Sequence, residues 1–471
     1  MASCGKPHEP LFFTAHLTML NHLMSLRWVG MAVVWSLAAA SAEAQSDPLG
    51  ELVREAWANN RALLQARLAA REREAGVRQA RGFFLPSLAL DARWTEREGG
   101  LDLGDAINPA YAALNQLTGE NRFPTDLELR LPQRQDMRLR VVQPLLDFSI
   151  IANHRLAQGR RDEARERLAG STLDIAAQVQ LTYLQYAAAV RSIEILENAR
   201  GILDENLRVS ERMVASGTAT PDAVSRARAD RAAVIQQAAD AARRRDAAAR
   251  GLNQLLGRPV DRPAALLSDS LLRFPLDSTP EALVHHALTA RPELREADAT
   301  IRSARASVRL ATAGLLPSLA VAVDYGFSGN QLRFSGDNDL VMGTVALQWT
   351  PFRGGRDQAR RDEALLALER TGTARRDLEE TVGREVRNAW DAARVAREAI
   401  ATAGERLAAA SRTFELVRRR YEEGLASHLE FTQARADHTN AGLNELLTRY
   451  SYAARAVELE RAAALRQPDP E

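Results

Sequence analysis

The sequence predicts a mainly α-helical chain in which one unit, a β-hairpin with long coiled-coil helices, is written twice, the hairpins serving a membrane β-barrel. Three observations carry this reading. A five-residue motif and its surroundings recur at a fixed offset. After each copy of that motif the apolar period changes from helical to strict alternation. Most of the remaining chain lies in proline-free runs too long for a compact domain.

The N-terminal stretch is set aside first. Met24 to Gln45 reads as a secretory signal: Arg27 supplies the positive region, Trp28 to Ala40 the apolar run, and Ala42-Glu43-Ala44 the small-x-small cleavage site. Residues 1–44 are therefore expected to be an upstream extension and signal peptide, with translation starting at Met24 and cleavage after Ala44. The apolar run is about 13 residues where a helical span needs about 20, and no later run reaches that length. Membrane residence then requires a β-barrel. Cys4 is the only cysteine, so the processed chain is expected to hold no disulfide, thiolate metal site, cysteine nucleophile or lipidated cysteine.

Composition suits long helices. Hydrophobic residues make up 46% but aromatics only 5%, because alanine, interleaved with Arg and Glu, dominates the apolar content. A formal net charge of +1 leaves no basic excess for nucleic acid.

The repeat organises the rest. Leu85-Pro86-Ser87-Leu88-Ala89 recurs as Leu316-Pro317-Ser318-Leu319-Ala320, an offset of 231, and Ala227-Arg228-Ala229-Asp230 recurs as Ala434-Arg435-Ala436-Asp437, an offset of 207. The difference of 24 places an insertion between residues 89 and 144 of the first copy. The first repeat is expected over 45–257, a proline-bearing linker over 258–280, the second repeat over 281–467 and a tail over 468–471.

Each copy alternates like a hairpin. Leu319, Val321, Val323, Tyr325 and Phe327 share one face with Val341, Val345, Leu347 and Trp349; in the first copy Leu88, Leu90, Ala92 and Trp94 go with Met137, Leu139 and Val141, opposite Asp91, Arg93, Arg138 and Arg140. Strands are expected at about 87–96, 136–143, 318–327 and 340–349, the length that crosses an outer membrane when tilted. Four strands cannot close a barrel, so several chains must associate around an axis.

Long helices follow. No proline interrupts 145–220 or 352–467, and Ile175, Val179, Tyr183, Tyr186, Leu196 and Leu203 keep coiled-coil spacing, as do Val382, Val386, Trp390, Ala393, Ala403 and Phe414. A helix from about Ser149 to Ala215 would be roughly 100 Å long. Glycines in Ser216-Gly217-Thr218-Ala219 and Glu423-Gly424-Leu425-Ala426 then mark turns into antiparallel partner helices.

These doubled motifs, with the hairpin exits Gln143-Pro144-Leu145-Leu146-Asp147 and Thr350-Pro351-Phe352-Arg353-Gly354-Gly355 and the helix end Leu252 to Gly257, resemble the TolC-like outer-membrane efflux proteins. The resemblance covers essentially the whole processed chain. It implies a homotrimer with a twelve-stranded barrel in outer-membrane lipid and a tapering periplasmic α-barrel, acting as the exit channel of a tripartite efflux or type I secretion system. It further implies that Gly217, Thr218, Ala219, Gly424, Leu425 and Ala426 form tips that dock a periplasmic membrane-fusion adaptor coupled to an inner-membrane pump. Glu430 and Gln433 are implied to line a periplasmic gate. Two positions depart from the family pattern: Thr218 stands where leucine is common, and Ala223 replaces the acidic residue six beyond the first tip glycine, with Asp222 one place early.

Other chemistry is poorly supported. Asp337, Asn338 and Asp339 lack the glycine and terminal glutamate of an EF-hand, and His285 and His286 adjoin on one helix, so they point apart. No Gly-rich phosphate loop, HExxH pair or GxSxG elbow occurs; neither an enzyme nor a cofactor is expected. The alternative from another class is a soluble periplasmic coiled-coil scaffold or adaptor.

Overall fold

A computed structural model describes residues 48–96, 102–128, 135–267, 276–329 and 339–466. The signal segment, Asp337, Asn338 and the C-terminal tail lie outside the described residues. The chain runs α1 (Pro48–Asn59), α2 (Arg61–Gly82), β1 (Ser87–Trp94), α3 (Gly104–Thr118), β2 (Gln135–Leu146), α4 (Phe148–Ala215) and α5 (Pro221–Leu255). It continues through α6 (Pro280–Ala290), α7 (Pro292–Ala313), β3 (Ser318–Gly329), β4 (Asp339–Gln348), α8 (Arg356–Glu422) and α9 (His428–Ala462). The described fold is mostly helical with one small sheet.

Asn60 ties the beginning of the first copy to its end. Its side-chain oxygen accepts from the N–H groups of Ala62 and Leu63, capping α2, while its amide donates to the Leu255 carbonyl at 2.9 Å. At the far end of β2, Asp147 caps α4 by accepting from Ser149 N–H at 2.8 Å. The 68 residues of α4 then extend roughly 100 Å at 1.5 Å per residue.

The four strands form one antiparallel sheet in the order β1-β2-β3-β4. The two hairpins are joined where β2 meets β3, with Leu139 opposite Tyr325 and Val141 opposite Val323. Because directly opposed residues share a face, Leu88, Val141 and Val323 on one line and Leu90, Leu139, Tyr325 and Val341 on another make a continuous apolar surface. The strand ends differ from those read off the alternation. β1 stops at Trp94, β3 continues to Gly329, and β4 spans Asp339–Gln348, excluding Trp349. β2 runs through Pro144 to Leu146, past a register shift between Pro144 and Leu146 that accommodates the missing proline N–H.

The insertion in the first copy carries a helix, α3, that the sequence pattern did not reveal. Asn108 and Asn115 stitch its return segment to it, each both donating to and accepting from a backbone group, of Leu127 and Phe123 respectively.

The core is a seam between helices. Ile175, Val179, Tyr183 and Tyr186 of α4 are buried with Leu63, Leu252 and Val457, and Val382, Val386 and Ala393 of α8 are buried with Leu283 and Leu294. The stripe inferred from spacing is thus the packed one. Arg397, its exception, lies exposed and donates to the Leu276 carbonyl at 3.4 Å. Asn206 and Ser210, which break the apolar pattern, are buried on α4.

Candidate docking tips and periplasmic mouth

Both long helices end in the same hydrogen-bond motif. At the first tip Gly217 N–H donates to Val214 O at 3.0 Å and Thr218 N–H to Met213 O at 2.9 Å; at the second Gly424 N–H donates to Tyr421 O at 3.0 Å and Leu425 N–H to Arg420 O at 2.7 Å. This pairing requires a left-handed residue between. Gly217 and Gly424 supply it, with φ of +73° and +76°. A side chain at either would meet open space, so backbone conformation alone demands glycine there.

The tips differ chemically. Thr218 spends its hydroxyl on the Met213 carbonyl at 3.0 Å, and Ala219 N–H reaches the same oxygen at 3.2 Å. Leu425 is instead 65% exposed and Leu429, one turn on, 68% exposed, while Ala426 is half-buried. Behind them Tyr421 stacks on Phe431, centroids 4.7 Å apart, and Phe414 stacks on His438 at 5.3 Å. Tyr421 Oη lies 3.3 Å from His428 Nδ1. Burial pushes the His428 imidazole below its usual range and the Tyr421 phenol above its own, so both are neutral near pH 7.

Glu430 has a local task that the family pattern did not disclose. Its carboxylate accepts from Ser427 N–H at 2.7 Å, while its own N–H donates to Ser427 Oγ at 3.2 Å, a capping box at the start of α9. The Ser427 N–H, then the Ser427 hydroxyl, holds this carboxyl below the usual range. Ser427-x-x-Glu430 was the signal that could have revealed it. Glu430 and Gln433, three residues apart and both exposed, share a face of α9. In the first copy Asp222 accepts from Thr220 Oγ1 and pairs with Arg226 at 3.0 Å, and the Thr220 hydroxyl is the main cause of its lowered pKa.

The repeated Ala-Arg-Ala-Asp motif lands in two environments. Arg228 is exposed and reaches Glu211 at 3.1 Å; Arg435 is buried, and burial lowers its pKa against the opposing field of Asp230. The copies have therefore diverged electrically while keeping their backbone path. Elsewhere His286 Nδ1 lies 2.9 Å from the Ala463 carbonyl and His285 is exposed, so the adjacent histidines do not converge.

Comparison with known proteins agrees with this architecture. Residues 52–258 and 283–465 match the family model described as outer membrane efflux protein. The outer membrane protein OprJ of Pseudomonas aeruginosa is 24% identical over 421 residues, 84% of this chain and 79% of OprJ. The outer membrane channel CmeC of Campylobacter jejuni superposes with a TM-score of 0.75 at 17% identity, covering 90% of this chain and 87% of CmeC. The open-state MtrE channel of Neisseria gonorrhoeae gives 0.68 at 20% identity, covering 88% of each chain.

Proposed function

The chain belongs to the outer membrane efflux protein family, and from that premise we propose that three copies close their sheets into a twelve-stranded outer-membrane barrel continuous with a periplasmic helical tube. The protein is an outer-membrane exit channel of the tripartite efflux type. The observation that carries the trimer is the sheet itself. β1 and β4 are its two unpaired edges, and every residue of both strands is exposed. An open four-stranded sheet with a continuous apolar face and two bare edges is not a stable end state in water. Edge-to-edge pairing with further copies removes both edges, and three copies provide twelve strands, within the range of membrane barrels.

At the other end, the tips of α4 and α8 meet a periplasmic adaptor, with Leu425 and Leu429 as the apolar contacts and the two helix-ending turns as the rigid frame. Glu430 and Gln433 from three copies line the closed mouth, where like charges favour cations. No residue in this account performs covalent chemistry. The repeats run over 45–257 and 281–467, and export follows cleavage after Ala44.

Fractionation tests the reading. Heat-modifiable trimers in the outer membrane that conduct in planar bilayers are expected; release of the chain by osmotic shock as a soluble protein would support a scaffold instead.

A further inference from the structure

We infer that the arginine collar directly beneath the sheet is a binding surface for anionic phospholipid headgroups of the periplasmic leaflet, an inference resting on the outer-membrane reading above. Residues 75–82, 148–161, 299–313 and 353–361 are the helical stretches nearest the strands. They hold twelve arginines and one carboxylate, Asp357. That carboxylate is buried, with Oδ2 3.7 Å from Arg353.

Each of four helices places one arginine close to the sheet: Arg81 on α2, Arg155 on α4, Arg309 on α7 and Arg356 on α8, all exposed. They lie within roughly 10 Å of the helix ends at 1.5 Å per residue. A guanidinium side chain bridges that distance to a headgroup layer roughly 5 to 8 Å thick. Among the described residues none of the four has a carboxylate at ion-pair distance. Farther down the same helices arginines do find partners across helix boundaries, as in Arg165–Glu74 at 2.6 Å, Arg295–Glu166 at 2.7 Å and Arg375–Asp298 at 3.0 Å. Arg161 and Arg302, deeper in the collar stretches, likewise share Asp162 at 2.6 and 3.5 Å, so it is the charge of the four arginines nearest the sheet that helix packing leaves unused.

The collar continues the lipid-facing belt. Phe148, Ile151 and Arg155 occupy one helical stripe at spacings of three and four, and the first two are exposed. Phe84, Leu85, Leu316 and Phe352 are exposed at the same level. An apolar girdle followed immediately by unpaired arginines fits a hydrocarbon boundary followed by phosphate. Lipopolysaccharide phosphates occupy the opposite leaflet, across the roughly 30 Å hydrocarbon layer from these helices.

The test uses the full-length chain purified in detergent and titrated with phosphatidylglycerol or phosphatidylcholine, with bound lipid counted by native mass spectrometry. Phosphatidylglycerol should bind at least about fivefold more tightly, the factor expected from one basic residue at such a surface, and the preference should shrink at high salt. Equal affinity for the two lipids in the wild type would overturn the inference without any variant. In Arg81→Gln/Arg155→Gln/Arg309→Gln/Arg356→Gln the preference should be lost while trimer mass and conductance persist. A variant that keeps the preference but conducts with altered ion selectivity would place these arginines in the lumen and refute the lipid role. Failure of the underlying reading is distinct: the wild type would then fractionate as a soluble protein.

Discussion

Arg140 of β2 and Asp324 of β3, 184 residues apart, form a two-pronged ion pair across the seam where the two hairpins join, Nε 2.6 Å from Oδ1 and Nη2 3.1 Å from Oδ2. Asp324 is only 1% exposed. The pair lies on the face opposite the apolar belt, where Ala89, Arg140, Asp324 and Met342 are mutually opposed. A carboxylate covered in this way depends on its partner. Arg140→Met should lower the thermal stability of the proposed trimer more than Arg140→Met/Asp324→Asn does, read as the temperature at which the oligomer band disappears on a heated gel. An equal loss in both would mean that the seam does not rely on the pair.

The two faces of the sheet should respond oppositely to charge. Val345, opposite Val321 and 71% exposed, belongs to the apolar face, whereas Ala322, opposite Thr344, belongs to the other. Val345→Arg should cost about 2–4 kcal/mol near the membrane midplane; Ala322→Arg should be tolerated. Comparable loss of membrane-inserted trimer in both variants would contradict this facing.

Gly424 is required by its backbone and not by space, so Gly424→Val should cost about 1–2 kcal/mol for the left-handed conformation alone. Efflux and adaptor cross-linking should fall while the sheet end still inserts. Wild-type efflux at normal protein level would remove this tip from the docking site.

Gly159 presents the converse case. It has an ordinary helical backbone on α4, but an added Cβ would lie 2.3 Å from Ser303 Oγ and 3.1 Å from Ser303 Cα on α7. Gly159→Val should overpack that crossing by about 1–3 kcal/mol, measurable as a lower melting temperature. Gly404, where an added Cβ would meet no neighbouring side chain or helix within 4 Å, should accept alanine without loss.

Glu430 serves the cap and, in the proposed trimer, the mouth; the two roles separate by substitution. Glu430→Gln keeps a capping-box acceptor and removes the charge, so cation selectivity in bilayers should drop with the trimer intact. Glu430→Ala should also fray the first turn of α9. The carboxyl's folded pKa lies below its ordinary value of 4.5, so its stabilising contribution is complete above that value and is lost as pH falls through the lower folded value. Amide exchange at 427–432, corrected for intrinsic pH dependence, should rise in that acidic range for the wild type and stay flat for Glu430→Gln. Unchanged selectivity in Glu430→Gln would turn this side chain away from the lumen.

What the sequence determined by itself was whatever depends on period and local backbone geometry. Alternation from Leu319 to Phe327 identifies one face of a strand because successive side chains point oppositely. Proline-free heptads from Ile175 to Leu203 define a helix and its buried stripe, and Gly217 and Gly424 mark the turns that need positive φ. Tertiary structure alone decided relations between residues remote in the chain. Nothing local couples Arg140 to Asp324, Gly159 to Ser303, or Asn60 to Leu255, and nothing in two identical Ala-Arg-Ala-Asp motifs says that Arg435 is buried while Arg228 is not. The short helix α3 was equally hidden, because nothing in the residue order shows that Asn108 and Asn115 bond the backbone of the return segment at Leu127 and Phe123. Periodicity reports the face that a segment offers; which partner covers that face is settled only by the packing of all the helices and strands together.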